Sequence, residues 1–121
     1  MRIVVDLDGT ICPIKDSSQS YADLKPLPGA VERLKGWRKA GHIVIIQTAR
    51  NMATQQSNLG KVMKNIGQIT LSWLERYDIE YDEIYFGKPN GQVYIDDRAF
   101  RFSGSWKELT DEALTSLARE R

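Results

Sequence analysis

Two nearly continuous apolar runs, each closing on polar side chains, constrain this chain more than any other feature. The first is Ile3-Val4-Val5, which ends at Asp6 and is followed by the turn residues Gly9-Thr10. The second is Ile43-Val44-Ile45-Ile46, which ends at Gln47-Thr48. Both are rich in β-branched residues and lack polar alternation, so they read as strands covered on both faces, as in a parallel sheet. Glu83-Ile84-Tyr85-Phe86 and Gln92-Val93-Tyr94-Ile95 predict two further short strands, the second ending on Asp96-Asp97. Between the first two strands, Ala30, Val31, Leu34 and Trp37 recur at helical spacing, with Gly41 as the stop. Ile66, Ile69, Leu71, Trp73, Leu74 and Tyr77 follow with an approximately helical period before the third strand. The alternation predicts an α/β fold, a three-layer Rossmann-like parallel sheet with right-handed crossovers.

The remaining segments fit around that frame. Residues 11–27 carry Pro13, Ser17, Ser18, Ser20 and Pro26 and predict a small flap or hairpin, while 51–60 is polar and reads as a loop. A final helix is expected over 110–121, with Thr110 as its N-cap and Leu114 and Leu117 facing the core. At 121 residues the chain is expected to form a single domain, 1–121, with no room for a second one.

With 17 Lys and Arg against 16 Asp and Glu, the charge balance argues against nucleic acid as a partner. No stretch approaches the roughly 20 apolar residues of a membrane span, and no signal-peptide core forms before Asp6. The single cysteine, Cys12, has no disulfide partner within the chain and fits a cytoplasmic location. His42, the one histidine, reads as a surface residue at a strand start.

Four polar clusters follow apolar runs: Asp6-x-Asp8, Thr48, Lys88 in a Gly87-Lys88-Pro89 turn, and Asp96-Asp97. A parallel sheet would bring all four to its carboxyl edge, where open α/β sheets bind ligands. Carboxylates crowded there repel one another unless a cation intervenes. Magnesium suits oxygen ligands and commonly bridges to phosphate, so Asp6, Asp8, Asp96 and Asp97 are its expected ligands, with the direct one of the last two left open. Lys88 and Thr48 would meet the phosphoryl oxygens. Asp6 is then the expected nucleophile and Asp8 the acid and base.

In this order, Val4-Val5-Asp6-Leu7-Asp8-Gly9-Thr10, Thr48, Lys88 and Tyr94-Ile95-Asp96-Asp97 resemble the four motifs of the haloacid dehalogenase superfamily. Asp8 stands where that superfamily's phosphatases carry a second aspartate. Thr48-Ala49-Arg50-Asn51-Met52, Asn58-Leu59-Gly60-Lys61 and Gly87-Lys88-Pro89 are similar to its small capsule-biosynthesis phosphatases. The resemblance implies a magnesium-dependent phosphatase acting on a small phosphorylated substrate of surface-polysaccharide assembly. It implies substrate-binding roles for Gly9, Thr10, Ala49, Arg50, Asn51 and Lys61. Arg50 as a strand cap and Lys61 as a solvated lysine are the plainer alternatives. It also implies a fold with no full cap domain, as in members that act on large substrates or borrow a neighbouring subunit as a lid, and hence a homo-oligomer. The chain departs from the pattern in a longer segment between Cys12 and Leu27 and a shorter one between Pro89 and Tyr94. A phosphate-binding regulatory or scaffold subunit with little turnover is the competing expectation. A receiver domain is not, because its phosphorylated aspartate would sit where Thr48 ends the middle strand.

Overall fold

The structure, a computed structural model, describes residues 1–119. Strand β1 (Arg2–Asp6) pairs in parallel with β2 (Ile43–Thr48), which pairs in parallel with β3 (Glu83–Phe86), in the order β1-β2-β3. Asp6 lies opposite Gln47, and Thr48 opposite Phe86, so the polar ends of the three strands share one edge. The α/β class and the parallel sheet are those that the apolar runs predict, but the expected third layer is not found among the described residues: one face of the sheet leaves Val4, Ile43 and Tyr85 exposed.

Strand order here follows chain order. Right-handed crossovers then put both connections on one face of the sheet. That face is the core: Ile3, Val5, Val44 and Ile46 pack with Ala30, Leu34 and Trp37 of α1 (Ala30–Lys39) and with Trp73 and Leu74 of α3 (Gln68–Arg76). Helix α1 stops where Gly41 adopts a positive φ of 94°, a conformation that costs glycine nothing. Side chains alternate along strands, so Arg2, Val4, Ile43, Ile45 and Tyr85 face the other way. On that face Val4 and Tyr85 are 54% and 55% exposed, while Arg2 donates two hydrogen bonds to Glu83 across the middle strand, where Ile45 is buried.

The chain reaches α3 through turns over 50–57, then a four-residue helix α2 (Leu59–Val62) and a π-helical turn, Met63–Gly67. Asn58 caps α2 by accepting the Lys61 amide N–H at 3.1 Å. The expected flap is irregular except for one 3-10 turn, Tyr21–Asp23, held by a reciprocal Ser20–Asp23 capping box. Two tryptophans pin it and the preceding loop: Trp73 donates from Nε1 to the Leu24 carbonyl at 2.7 Å, and Trp106 to the Thr10 carbonyl at 2.8 Å.

Gln92-Val93-Tyr94-Ile95 is not the expected fourth strand. It is irregular and pairs with no strand among the described residues. The connection explains this. Only residues 87–92 separate Phe86 from Val93, whereas a parallel neighbour needs a crossover of about a dozen residues or more. Tyr94 instead folds back, its hydroxyl donating to the Pro89 carbonyl at 2.6 Å and accepting from the Gly91 amide.

Helix α4 (Asp111–Leu117) begins at Thr110 as expected, with Thr110 Oγ1 accepting the Ala113 N–H. It ends sooner than expected, because Ala118 turns to an extended ψ of 137°; residues 120–121 of the expected helix lie outside the described residues. Leu114 packs on the core. Among the described residues no helix is long and apolar enough to cross a membrane.

Candidate active site

The carboxyl edge of the sheet opens into a cavity of about 340 Å³. Of the side chains expected there, Asp6, Asp8, Ala49, Arg50, Asn51 and Lys88 line it. Asp6 arrives as the last residue of β1 and Asp8 follows in the turn that Gly9 permits with a φ of 86°. Lys88 is tied to the end of β2 by its backbone, whose N–H donates to the Thr48 carbonyl at 3.0 Å. Its Nζ lies 3.5 Å from Asp6 Oδ1 and 4.2 Å over the Tyr94 ring. Burial pushes the Asp6 carboxyl above the usual carboxylate range, and Lys88 offsets part of that rise.

Asp8 is held differently. Arg50 grips it with two charge-assisted hydrogen bonds, Nε to Oδ2 at 3.0 Å and Nη2 to Oδ1 at 2.7 Å. The third guanidinium nitrogen donates to Thr70 Oγ1 at 3.0 Å, and the plane sits 3.9 Å from the Tyr21 ring centre. With only 4% of Arg50 exposed, this is a buried ion pair in which each guanidinium nitrogen is engaged by the fold. Cys12 lies behind it, 3.6 Å from Asp8 Oδ1. Burial, then the Asp8 charge, pushes its thiol up to about 12, which keeps it protonated and unreactive.

Thr48 does not face the cavity. It is 1% exposed, and its Oγ1 accepts the Arg50 amide N–H at 3.0 Å, so its observed role is to turn the chain at the strand end. Gly9 and Thr10 form the turn behind Asp8, Lys61 is exposed on α2, and none of the three lines the cavity. Asp96 and Asp97 lie on the exposed segment outside it. The four carboxylates expected to ligate magnesium are therefore not gathered within one chain: no three acidic, histidine or cysteine side chains among the described residues could hold a metal ion. The donor set explains why. Asp6 already faces Lys88, Asp8 is occupied by Arg50, and the loop after β3 is too short to return the Asp96-Asp97 pair. As they stand, these residues do not fit a magnesium cage.

Several lining residues were not anticipated. Tyr21, Lys15, Ile14, Asn90 and Tyr94 all face the cavity. Tyr21 and Lys15 come from the flap, whose composition gives no periodicity to read; the one local signal is the Ser20-x-x-Asp23 capping pattern. A second hollow of about 450 Å³ adjoins the first, sharing Lys15, Tyr21, Asn51 and Thr54 and extending to Asn65, Ile66 and Ile69. Asn65 donates to Asn51, which holds a positive φ of 64° between the two hollows.

Fold and site together define a small α/β protein with a charged cavity at the carboxyl edge of a parallel sheet. A structural-genomics target from Vibrio cholerae, solved by crystallography, matches 96% of this chain and 94% of its own at a TM-score of 0.84 and 36% sequence identity. The chain belongs to the same family as that protein. No protein-family model and no curated protein matches it.

Proposed function

We propose that this chain is a phosphatase that takes the phosphoryl group of a small phosphomonoester onto Asp6. The observation carrying the reading is the meeting of Asp6, Asp8 and Lys88 in one cavity at the carboxyl edge of a parallel sheet, with Lys88 Nζ 3.5 Å from Asp6. A carboxylate, a cation and a second carboxylate two residues on supply the nucleophile, a charge for the phosphoryl oxygens, and the acid and base of phosphoryl transfer through a covalent intermediate. In the first step an Asp6 oxygen attacks phosphorus, the bond to the ester oxygen breaks, and Asp8 gives that oxygen its proton. In the second, water attacks the aspartyl phosphate, its proton passes to Asp8, and inorganic phosphate leaves as Asp6 is regenerated. Lys88 faces the phosphoryl oxygens throughout. Arg50 holds the Asp8 carboxylate in place while leaving it lone pairs for the proton.

The adjoining hollow supports a polyhydroxylated leaving group, since Ser20, Asn51, Thr54 and Asn65 offer hydrogen bonds beside the apolar Ile66 and Ile69. A sugar phosphate of surface-polysaccharide assembly, handled in the cytoplasm, is the substrate class we infer. Phosphate release from a panel of sugar phosphates, measured with and without magnesium, tests the reading. Release is expected from the wild type and not from Asp6→Asn; an Asp6→Asn chain with full turnover would refute the mechanism. The Arg50 grip on Asp8 favours one other reading, a phosphate-binding subunit with little turnover. Saturable binding of inorganic phosphate without release from any panel member would select it.

A further inference from the structure

Three features of this chain match one another. β1 is an edge strand, with its outer hydrogen-bonding side unpaired among the described residues and Val4 54% exposed. Such edges invite strand addition and are usually blunted or covered. The segment Val93-Tyr94-Ile95 is β-branched and aromatic, yet Val93 is 75% and Ile95 97% exposed. The cavity, meanwhile, carries more positive than negative groups: Lys15, Arg50 and Lys88 against Asp6 and Asp8.

We propose that two copies of this chain exchange residues 92–97. The segment of one copy adds as a parallel strand to the outer edge of β1 in the other, bringing Asp96 and Asp97 to the cavity beside that copy's Asp6. Chain length decides between self and partner. Within one chain the segment would have to cross from β3 to the far side of β1, three strand spacings or about 14 Å, and also run back the length of a strand. Residues 87–91 cannot do both, since parallel neighbours are joined by about a dozen residues or more. A second copy carries no such limit, and a two-fold exchange satisfies both edges at once and closes. The parallel direction is required because only it puts Asp96 and Asp97 at the carboxyl edge, where Lys15 and Lys88 face the cavity. Exposed Val93 and Ile95 would then be buried against a neighbour, as apolar strand residues ordinarily are.

Strand exchange stands without the phosphatase reading; the use of Asp96 and Asp97 in catalysis rests on it, and two measurements separate them. In sedimentation equilibrium the wild type is expected at twice the chain mass of 13.8 kDa. The double variant Val93→Lys, Ile95→Lys is expected at the single mass with an unchanged circular dichroism spectrum. A wild type that stays at the single mass up to its solubility limit overturns the exchange, as does a double variant that remains dimeric. The second measurement co-refolds Asp6→Asn chains with Asp96→Asn, Asp97→Asn chains in equal amounts. Each is expected to be inactive alone. Random pairing makes half the dimers mixed, each with one intact site, so about a quarter of the wild-type phosphate release should return. If the wild type is active and no release returns, or if Asp96→Asn, Asp97→Asn is fully active alone, delivery of the carboxylates is overturned even where the dimer stands.

Discussion

Arg50 joins four parts of the molecule. It leaves the end of β2, reaches Asp8 after β1, bonds Thr70 on α3 and stacks on Tyr21 of the flap. Each of those contacts uses a different part of the guanidinium, which is why no other side chain can replace it: a lysine would keep the charge but lose the planar fork and the stack. Removing one member of a buried pair strands the other, at a cost of about 3–5 kcal/mol. Asp8 keeps 24% of its side chain exposed, so water would relieve part of that cost. Arg50→Met is therefore expected to lose roughly 3 kcal/mol, the low end of that range. Arg50→Lys should fall between it and the wild type. Urea unfolding checks this, as a fall in midpoint at constant slope; a midpoint unmoved in Arg50→Met would mean that the pair contributes nothing net. The sequence marks Arg50 as either a ligand-binding group or a strand cap, and its geometry is neither alone. Its own N–H makes the strand-end contact with Thr48, while its side chain serves Asp8. Such division of one residue between two tasks leaves no trace in a residue pattern.

At the scale of elements, α1 shows how a single position carries a local demand that packing then tightens. Gly29 is its N-cap with a φ of 88°, and a Cβ there would stand 3.1 Å from Cβ of Trp106. A side chain at Gly29 would meet left-handed strain of about 1–2 kcal/mol before any clash is counted. Trp106 cannot withdraw freely, since its indole N–H is bonded to Thr10 and its ring packs at 5.8 Å from Trp37. Gly29→Ala is thus expected to lower the melting temperature, whereas Gly36→Ala, with nothing within 4 Å, should raise helix stability slightly. Thermal unfolding of the pair checks it, and equal shifts in both would dismiss the contact with Trp106. Three strands and the helices between them were legible because runs of Ile and Val favour strands and apolar residues every three to four positions mark a buried helix face, although Val4 and Ile43 of those runs are exposed. Gln92-Val93-Tyr94-Ile95 carries the same residue signal and is not a strand. Local composition says that a segment can pair; the length of chain before it says whether it can reach a partner, and 87–92 is too short. The same limit explains the site. Asp6, Asp8 and Lys88 were legible because each directly follows a strand that forms, whereas Asp96 and Asp97 follow one that does not.

Across the whole molecule, the carboxyl proposed as nucleophile works against the fold that holds it. Burial raises the Asp6 pKa in the folded state, so the ionised form that attack requires is the form that folding disfavours. The sign follows from linkage: a raised acid pKa means that the folded chain binds the proton more tightly than the unfolded one. The cost is present in full above the folded pKa, shrinks as pH falls through it, and is gone below the ordinary value of about 3.9. Asp82 has the opposite sign, its pKa lowered by the Val44 N–H and by Arg38, and its stabilisation is lost as pH falls through that lowered value. The Asp6 penalty is therefore relieved at higher pH than the Asp82 contribution is lost. Between those two points the fold gains from acidification while phosphoryl transfer fails. Asp6→Asn, which cannot ionise, is accordingly expected to be at least as stable as the wild type at neutral pH, with the difference vanishing toward the ordinary carboxylate pKa. Urea unfolding of both chains from pH 7 to pH 4 measures it. A gap that widens as pH falls would mean that Lys88 outweighs burial at Asp6, and that the acid limb of turnover should lie below the usual carboxylate range instead of above it.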